Sequence, residues 1–230
     1  MSSTAHGARA RARAEVTTAI KDTARGQLAQ EGAAKLSLRA VARELGMASS
    51  ALYRYFPSRD DLLTALIIDA YDALGEAAEA AHDAATGAGP VLRWVRVCEA
   101  VRDWALAHPH EYALIYGSPV PGYAAPQDTV PAASRVGRVF IGIARAALRE
   151  AELAEPALPA ELRDEAARMA ADVAPDLPPA VVAPLVAAWA QLFGLISFEL
   201  FGHFHRVVED RAAMFRHAAD RLARGVGLTV

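Results

Sequence analysis

A chain of 230 residues that is 53% hydrophobic and carries a net charge of −3 is long enough to bury a substantial core in one or two domains. It is rich in alanine, aromatics make up only 7%, and strand-favouring runs are nearly absent, which points to an all-α protein and away from sheets and barrels. One cysteine, Cys98, excludes an internal disulfide framework and suits a reducing cytoplasm.

The overall charge conceals an asymmetry. Residues 1–60 hold ten Lys or Arg against five Asp or Glu, whereas the remainder is acidic. A basic N-terminal quarter on an acidic body suits a module that meets phosphate. The N-terminus is polar and Arg-dotted with no apolar core, so no signal peptide is expected. Residues 1–8 read as a disordered tail, and Arg9, Arg11 and Arg13 as a short basic arm. Arg11 and Arg13 are candidates for a backbone or minor-groove contact.

Val16, Ile20, Ala24 and Leu28 step by four and predict a helix over residues 12–30, closed by Gly32. Leu38, Val41, Ala42 and Leu45 form the apolar stripe of a short second helix, with Ser37 as its N-cap and Gly46 at the left-handed C-terminal position. A third helix restarts within a few residues and turns Leu52 and Phe56 inward. Two short helices joined by a tight glycine turn make a helix-turn-helix. Its outer face would show Ser49, Ser50, Tyr53 and Arg54, groups that donate to phosphates and base edges. A plain αα-turn with a polar solvent face is the alternative for so short a pattern.

Pro57 ends the third helix. Ser58-Arg59-Asp60-Asp61 reads as a capping box that opens a long helix to about residue 85. The free N–H groups at its start, with Arg59, suit a DNA phosphate. Further on, helices are expected over residues 90–107 (Val91, Trp94, Val95, Cys98, Val101, Trp104, Ala105), 132–150, 160–172, 181–204 and 211–226, with another that restarts within residues 108–111 and includes Tyr112, Leu114, Ile115 and Tyr116. Residues 117–131, with four prolines and two glycines, are expected to form the longest irregular segment, a lid or entry loop. The apolar stretch 180–198 is interrupted by Pro184, Gln191 and Ser197 and reads as a buried helix, with no membrane contact. Apolar residues on more than one face of 181–204 require burial on two sides, and a two-fold homodimer through the last two helices would supply the second.

The run Leu36-Ser37-Leu38, Val41-Ala42, Leu45-Gly46-Met47 and Ala51-Leu52-Tyr53-Arg54-Tyr55-Phe56-Pro57-Ser58-Arg59-Asp60-Asp61-Leu62-Leu63 resembles the DNA-binding domain of TetR-type transcriptional regulators. The resemblance implies that Tyr53, Ser37 and Arg59 touch the operator backbone. Arg11, Arg39, Ser49, Ser50, Arg54 and Tyr55 complete the expected DNA-binding set. The sequence departs from the family at Ala48, usually Ser or Thr, and at Ser50, usually Gly. Residues 109–122 together with Trp189-Ala190-Gln191-Leu192-Phe193-Gly194-Leu195 resemble the ligand-binding domain of a subgroup with a Trp-His-Gly signature, with Phe193 in the place of the histidine.

The resemblance also implies a ligand pocket, for which Trp94, Cys98, Trp104, Tyr112, Tyr116, Phe140, Trp189 and Phe193 are the candidate walls; taken singly, each reads as plain core. The pairs His108/His110 and His203/His205 have no cluster to complete a metal set, and no metal or cofactor is expected. No nucleophilic triad, phosphate loop or carboxylate pair stands out, so an enzyme is not expected. The reading is an all-α homodimer with a DNA-binding domain over residues 1–60 and a ligand-binding and dimerisation domain over 61–230, cytoplasmic and nucleoid-associated. It would bind a double-stranded palindromic operator and repress until a small apolar or amphipathic effector shifts the population, the helix over residues 60–85 carrying the movement. An architectural, weakly sequence-selective DNA binder is one alternative; a ligand-binding or enzymatic protein with a vestigial helix-turn-helix is another.

Overall fold

The computed structural model describes residues 2–229, with side chains from Gly7 onward. Among these residues are eleven α-helices, three short 3-10 turns and one isolated antiparallel bridge, Leu153 with Leu228. The all-α expectation holds. The helices are α1 (Ser2–Glu31), α2 (Leu38–Glu44), α3 (Ser49–Leu52), α4 (Arg59–Ala84), α5 (Pro90–Ala107), α6 (Pro109–Tyr116), α7 (Val130–Ala133), α8 (Arg135–Arg149), α9 (Arg163–Val173), α10 (Pro179–Leu200) and α11 (Arg211–Val226).

Contacts divide the chain into two compact units: residues 1–70 with 110–130, and residues 71–109 with 131–230. The expected division fell at residue 60. In the structure the first half of α4 packs with the N-terminal helices and α6 returns to join them. Two polar links make the return. Arg25 of α1 donates to Asp69 of α4 at 2.7 Å and to Glu111 of α6 at 3.1 Å, and the Thr64 and Tyr123 hydroxyls share a hydrogen bond of 2.8 Å. Lys21 also donates to Asp69, at 2.8 Å.

In this first unit Ile20, Ala24 and Leu28 of α1, Leu38, Val41 and Ala42 of α2, Leu52 of α3, and Leu62, Leu63 and Leu66 of α4 form the core. Helical spacing selected those of α1, α2 and α3, whereas Val16 and Leu45, selected by the same spacing, are only half-buried. Three expectations need correction. The helix α1 starts at Ser2, so Arg9, Arg11 and Arg13 ride on helix and not on a loose arm; Ala and Arg favour helix strongly, and no proline precedes them. The expected disorder of the tail thus gives way to helix from Ser2, while Met1 lies outside the described residues. The third helix is one turn long, Ser49–Leu52, and continues as turns through Tyr55. The irregular segment is shorter than expected, because a 3-10 turn over Gln127–Thr129 and α7 follow Pro126, and a break at Ser134 separates α7 from α8.

In the second unit α5 packs against α8, α10 and α11, and α10 against α9 and α11. Trp94, Val97, Val101, Phe140, Ile143, Leu192 and Ile196 are fully or nearly fully buried. Buried in the same unit, Glu199 of α10 receives a two-pronged bond from Arg102 of α5, at 2.6 and 2.7 Å, and the Arg102 guanidinium lies over the Phe215 ring. Arg135 at the start of α8 enters a notch left by Gly75 on α4, donating to Glu79 at 2.6 and 2.9 Å and to Asp72 at 2.9 Å. Asp210 caps α11 by accepting from Ala213 N at 2.9 Å.

The helix α10 ends at Leu200, and residues 201–207 form turns. It is long and apolar enough to cross a membrane by length and composition, a test that core helices of soluble proteins also pass. Here Val181, Val182, Leu185, Ala188, Leu192, Phe193 and Ile196 face the interior of the unit. Trp189, Phe198 and Phe201 remain exposed.

Candidate nucleic-acid interface

The helix-turn-helix is built by three local devices. Ser37 caps α2, its Oγ accepting from Ala40 N at 3.4 Å, and its own N–H donates to Gln27 of α1 at 3.5 Å. At the other end of α2, Gly46 adopts φ 65°, Met47 N donates to Ala42 O at 2.8 Å and Gly46 N to Arg43 O at 3.1 Å. That is the Schellman arrangement, in which a left-handed residue lets two orphan carbonyls find donors. It reverses the chain in two residues and launches α3. The third device is Ser58, whose Oγ accepts from Asp61 N at 3.1 Å and donates to Asp61 Oδ2 at 2.7 Å. The carboxylate thus closes the box on the serine hydroxyl.

The result is an outward face of short donors. Ser49, Ser50, Tyr53 and Arg54 are all exposed, Tyr53 by 41%. Ala48 offers α3 no side-chain cap, as the sequence foretold. Beside this face lies a cleft of about 440 Å³ lined by Leu36, Ser37, Leu38, Arg39, Tyr53, Pro57, Ser58 and Arg59. It gathers Ser37, Arg39, Tyr53 and Arg59, four of the expected DNA-binding residues, although they come from separate stretches of chain. Arg11 is exposed on α1.

Two of the expected residues have other occupations. The Arg59 guanidinium donates to Ala33 O at 2.9 Å, Leu36 O at 3.2 Å and Ala34 O at 3.4 Å, and pairs with Asp60 at 3.3 Å. It clamps the 3-10 turn between α1 and α2, and a phosphate would compete with those carbonyls. Asp60 and Asp61 also fill the first turn of α4 with negative charge, which already complements the helix dipole. Tyr55 is half-buried, with the Arg13 guanidinium 4.9 Å above its ring. The sequence reading missed this contact. Its signal was present: Arg13 lies seven residues before Ile20, on the inward stripe of α1.

The aromatic candidates do not form one cluster. Trp94 and Phe140 pack at 4.2 Å between ring centroids, both fully buried, with Cys98 buried one turn along α5. Burial pushes the Cys98 thiol far above its ordinary value, so it stays protonated and inert as a nucleophile. Trp104 stacks on His108, whose Nδ1–H donates to Trp104 O at 2.9 Å, a structural use of that histidine. Trp189 meets Phe193 edge-on, half outside the core. Tyr112 and Tyr116 pair with each other in the first unit. The Trp94 indole N–H is buried with no hydrogen-bond partner. His82, near the end of α4, has its basicity lowered by burial and by Arg93, whose Nη2 donates to His82 Nε2 at 3.4 Å.

Residues 20–66 match the family model of bacterial regulatory proteins, tetR family, and residues 94–222 match a tetracyclin repressor-like C-terminal domain. The HTH-type transcriptional regulators Rv1816 of Mycobacterium tuberculosis and Mb1846 of Mycobacterium bovis are each 40% identical to the chain over 201 residues, 86% of either sequence. A solved structure described as that of a regulatory protein, SCO4313, superposes with a TM-score of 0.78 at 34% identity, covering 92% of this chain and 97% of its own. A tetR family transcription regulator from Shewanella sp. PV-4 shares the fold, with a TM-score of 0.61 at 20% identity over 93% and 98%.

Proposed function

This chain belongs to the TetR family of DNA-binding transcriptional regulators, and we propose that it is a repressor released from a palindromic operator by a small apolar or amphipathic effector. Family members bind operator DNA, dimerise and are regulators, not enzymes; their place is the cytoplasm. Association with the nucleoid follows from operator binding. The division of labour is the one read from sequence, DNA binding over residues 1–60 and effector binding with dimerisation over 61–230.

The observation that carries the reading is the exposed donor face of Ser49, Ser50, Tyr53 and Arg54 beside the cleft that holds Ser37 and Arg39. Ser49, Ser50 and Arg54 meet base edges in the major groove; Ser37, Arg39 and Tyr53 hold phosphate oxygens, with Arg11 adding charge from α1. Tyr55 backs the recognition turn, and Arg59 reaches phosphate only by giving up a carbonyl.

A two-fold dimer through α10 and α11 would cover the exposed rings of Trp189, Phe198 and Phe201 and bring two such faces to successive major grooves. For the effector, the support is the Trp94 N–H among the buried Phe140 and Cys98 side chains. A buried donor without a partner costs about 1–3 kcal/mol, which an acceptor atom on an otherwise apolar molecule would relieve. Trp104, Trp189 and Phe193 of the same unit are the further candidate walls. Binding shifts the population toward a conformer with low operator affinity, and α4 carries the movement.

Selection of duplexes from a random DNA pool by the purified chain tests this. Enrichment of one inverted repeat, with half-sites about one helical turn apart, is the expected result. Recovery of DNA without enrichment would replace the repressor with an architectural DNA binder.

A further inference from the structure

The recognition segment has little regular helix to hold it. α3 is a single turn of four residues, and one turn fixes about six dihedral angles for its first hydrogen bond, an unfavourable exchange. Ala48 supplies no N-cap oxygen. Inward, the segment is tethered by Leu52 and Phe56. Its far end is held from outside. Arg13 Nη2 donates to the carbonyl of Arg54 at 3.2 Å, and the Cζ of the same guanidinium lies over the Tyr55 ring, 4.9 Å from its centroid. The carbonyls at a helix C-terminus lack intrahelical donors and carry partial negative charge, so a cation there satisfies both needs.

The placement of Arg13 is a consequence of helix periodicity. On α1 it continues the stripe of Thr17, Ile20, Ala24 and Leu28, two turns beyond the last buried residue. The helix therefore delivers the guanidinium above the core edge where the recognition turn ends. Both contacts use features that only arginine combines, a planar face for the ring and an in-plane N–H for the carbonyl.

We propose that Arg13 is a positioning residue for operator recognition: it acts from α1 as a C-terminal brace of the recognition turn, fixing Ser49, Ser50, Tyr53 and Arg54 in register, and does not itself neutralise a phosphate. The inference rests on the reading that this face meets DNA. It adds a specificity residue outside the helix-turn-helix.

The test compares Arg13→Ala, Arg13→Lys and Tyr55→Leu in the full chain, using the duplex recovered by selection and an unrelated duplex. Affinity is measured across a salt series, and circular dichroism and sedimentation confirm fold and assembly. A brace predicts roughly five-fold weaker operator binding for Arg13→Ala, with the unrelated duplex nearly unaffected, so that the specificity ratio falls. Arg13→Lys keeps the charge but loses the brace and should resemble Arg13→Ala. The slope of log affinity against log salt stays at its wild-type value in both. Tyr55→Leu should lower operator affinity similarly and add little in the Arg13→Ala background. A phosphate contact predicts otherwise: the salt slope falls by about one in Arg13→Ala, unrelated DNA weakens equally and lysine restores binding. That pattern, or unchanged operator affinity, overturns the proposal while leaving the DNA interface intact. Failure of the wild-type chain to bind any duplex would instead remove the interface reading, and the proposal with it.

Discussion

Gly75 offers the sharpest test of the packing in the second unit. An alanine Cβ at this position of α4 would stand 2.6 Å from Arg135 Cβ, 2.7 Å from its Nε and 2.8 Å from its Cδ. Real Cβ contacts do not come this close. The nearest atom is the Cβ of Arg135, fixed to the α8 backbone, so a rotamer change alone gives no relief. In an exposed helix, Gly→Ala gains about 1 kcal/mol. Here the overpacking costs about 1–3 kcal/mol, and the displaced guanidinium weakens its bonds to Glu79 and Asp72. The clash outweighs the propensity, and we expect Gly75→Ala to lose about 1–2 kcal/mol. For a chain of this size that lowers Tm by roughly 3–6 °C in a thermal melt followed by circular dichroism. In an Arg135→Ala background the notch is open, and the same substitution should become neutral or stabilising. A single Gly75→Ala variant more stable than wild type would refute the notch.

The same cluster sets a pH dependence. The hydrogen bond from Arg135 holds the Glu79 carboxyl below its ordinary value of 4.5, so its stabilisation is full above that value and is lost as pH falls through the lower folded value; the advantage over Glu79→Gln should vanish in acid melts. Removing Glu199 leaves the half-buried Arg102 with only Asp103, at 3.5 Å, and Glu199→Ala should cost about 1–3 kcal/mol in urea unfolding, more than the paired change Arg102→Leu with Glu199→Leu. Tyr53→Ala should weaken operator binding and leave assembly unchanged; loss of the dimer instead would mark Tyr53 as structural. Phe198→Glu should yield monomers in sedimentation at concentrations where the wild type is dimeric, and an unchanged sedimentation profile would count against an interface through α10.

Much of the first unit was legible because its devices are local. Ser37, Gly46 and Ser58 act within three to five residues of their own position, so the cap, the Schellman turn and the box could be read from spacing. The apolar stripes of α1 and α2 named the core for the same reason: helical geometry converts sequence interval into direction. α11 fell on residues 211–226 in both, between an Asp210 cap and a left-handed Gly227. For Arg59 and Arg13 the deciding partner was distant in sequence. The competitors for Arg59, the carbonyls of Ala33, Ala34 and Leu36, lie more than twenty residues upstream, and the partner of Arg13 lies forty-one residues downstream. A side chain's charge is written in the sequence, but its occupation is not.

The division into units and the fate of the aromatics show the limit most clearly. Sequence alone determined that this is a helical chain with a basic helix-turn-helix at its front, since composition, period and capping are properties of neighbouring residues. Only the tertiary structure decided that α6 and the loop after it return to the DNA-binding unit, Glu111 to Arg25 and Tyr123 to Thr64, and that Trp94 pairs with Phe140. Those outcomes depend on which helix faces meet across long loops. That choice is set by the joint packing of many side chains, and no interval along the chain encodes it.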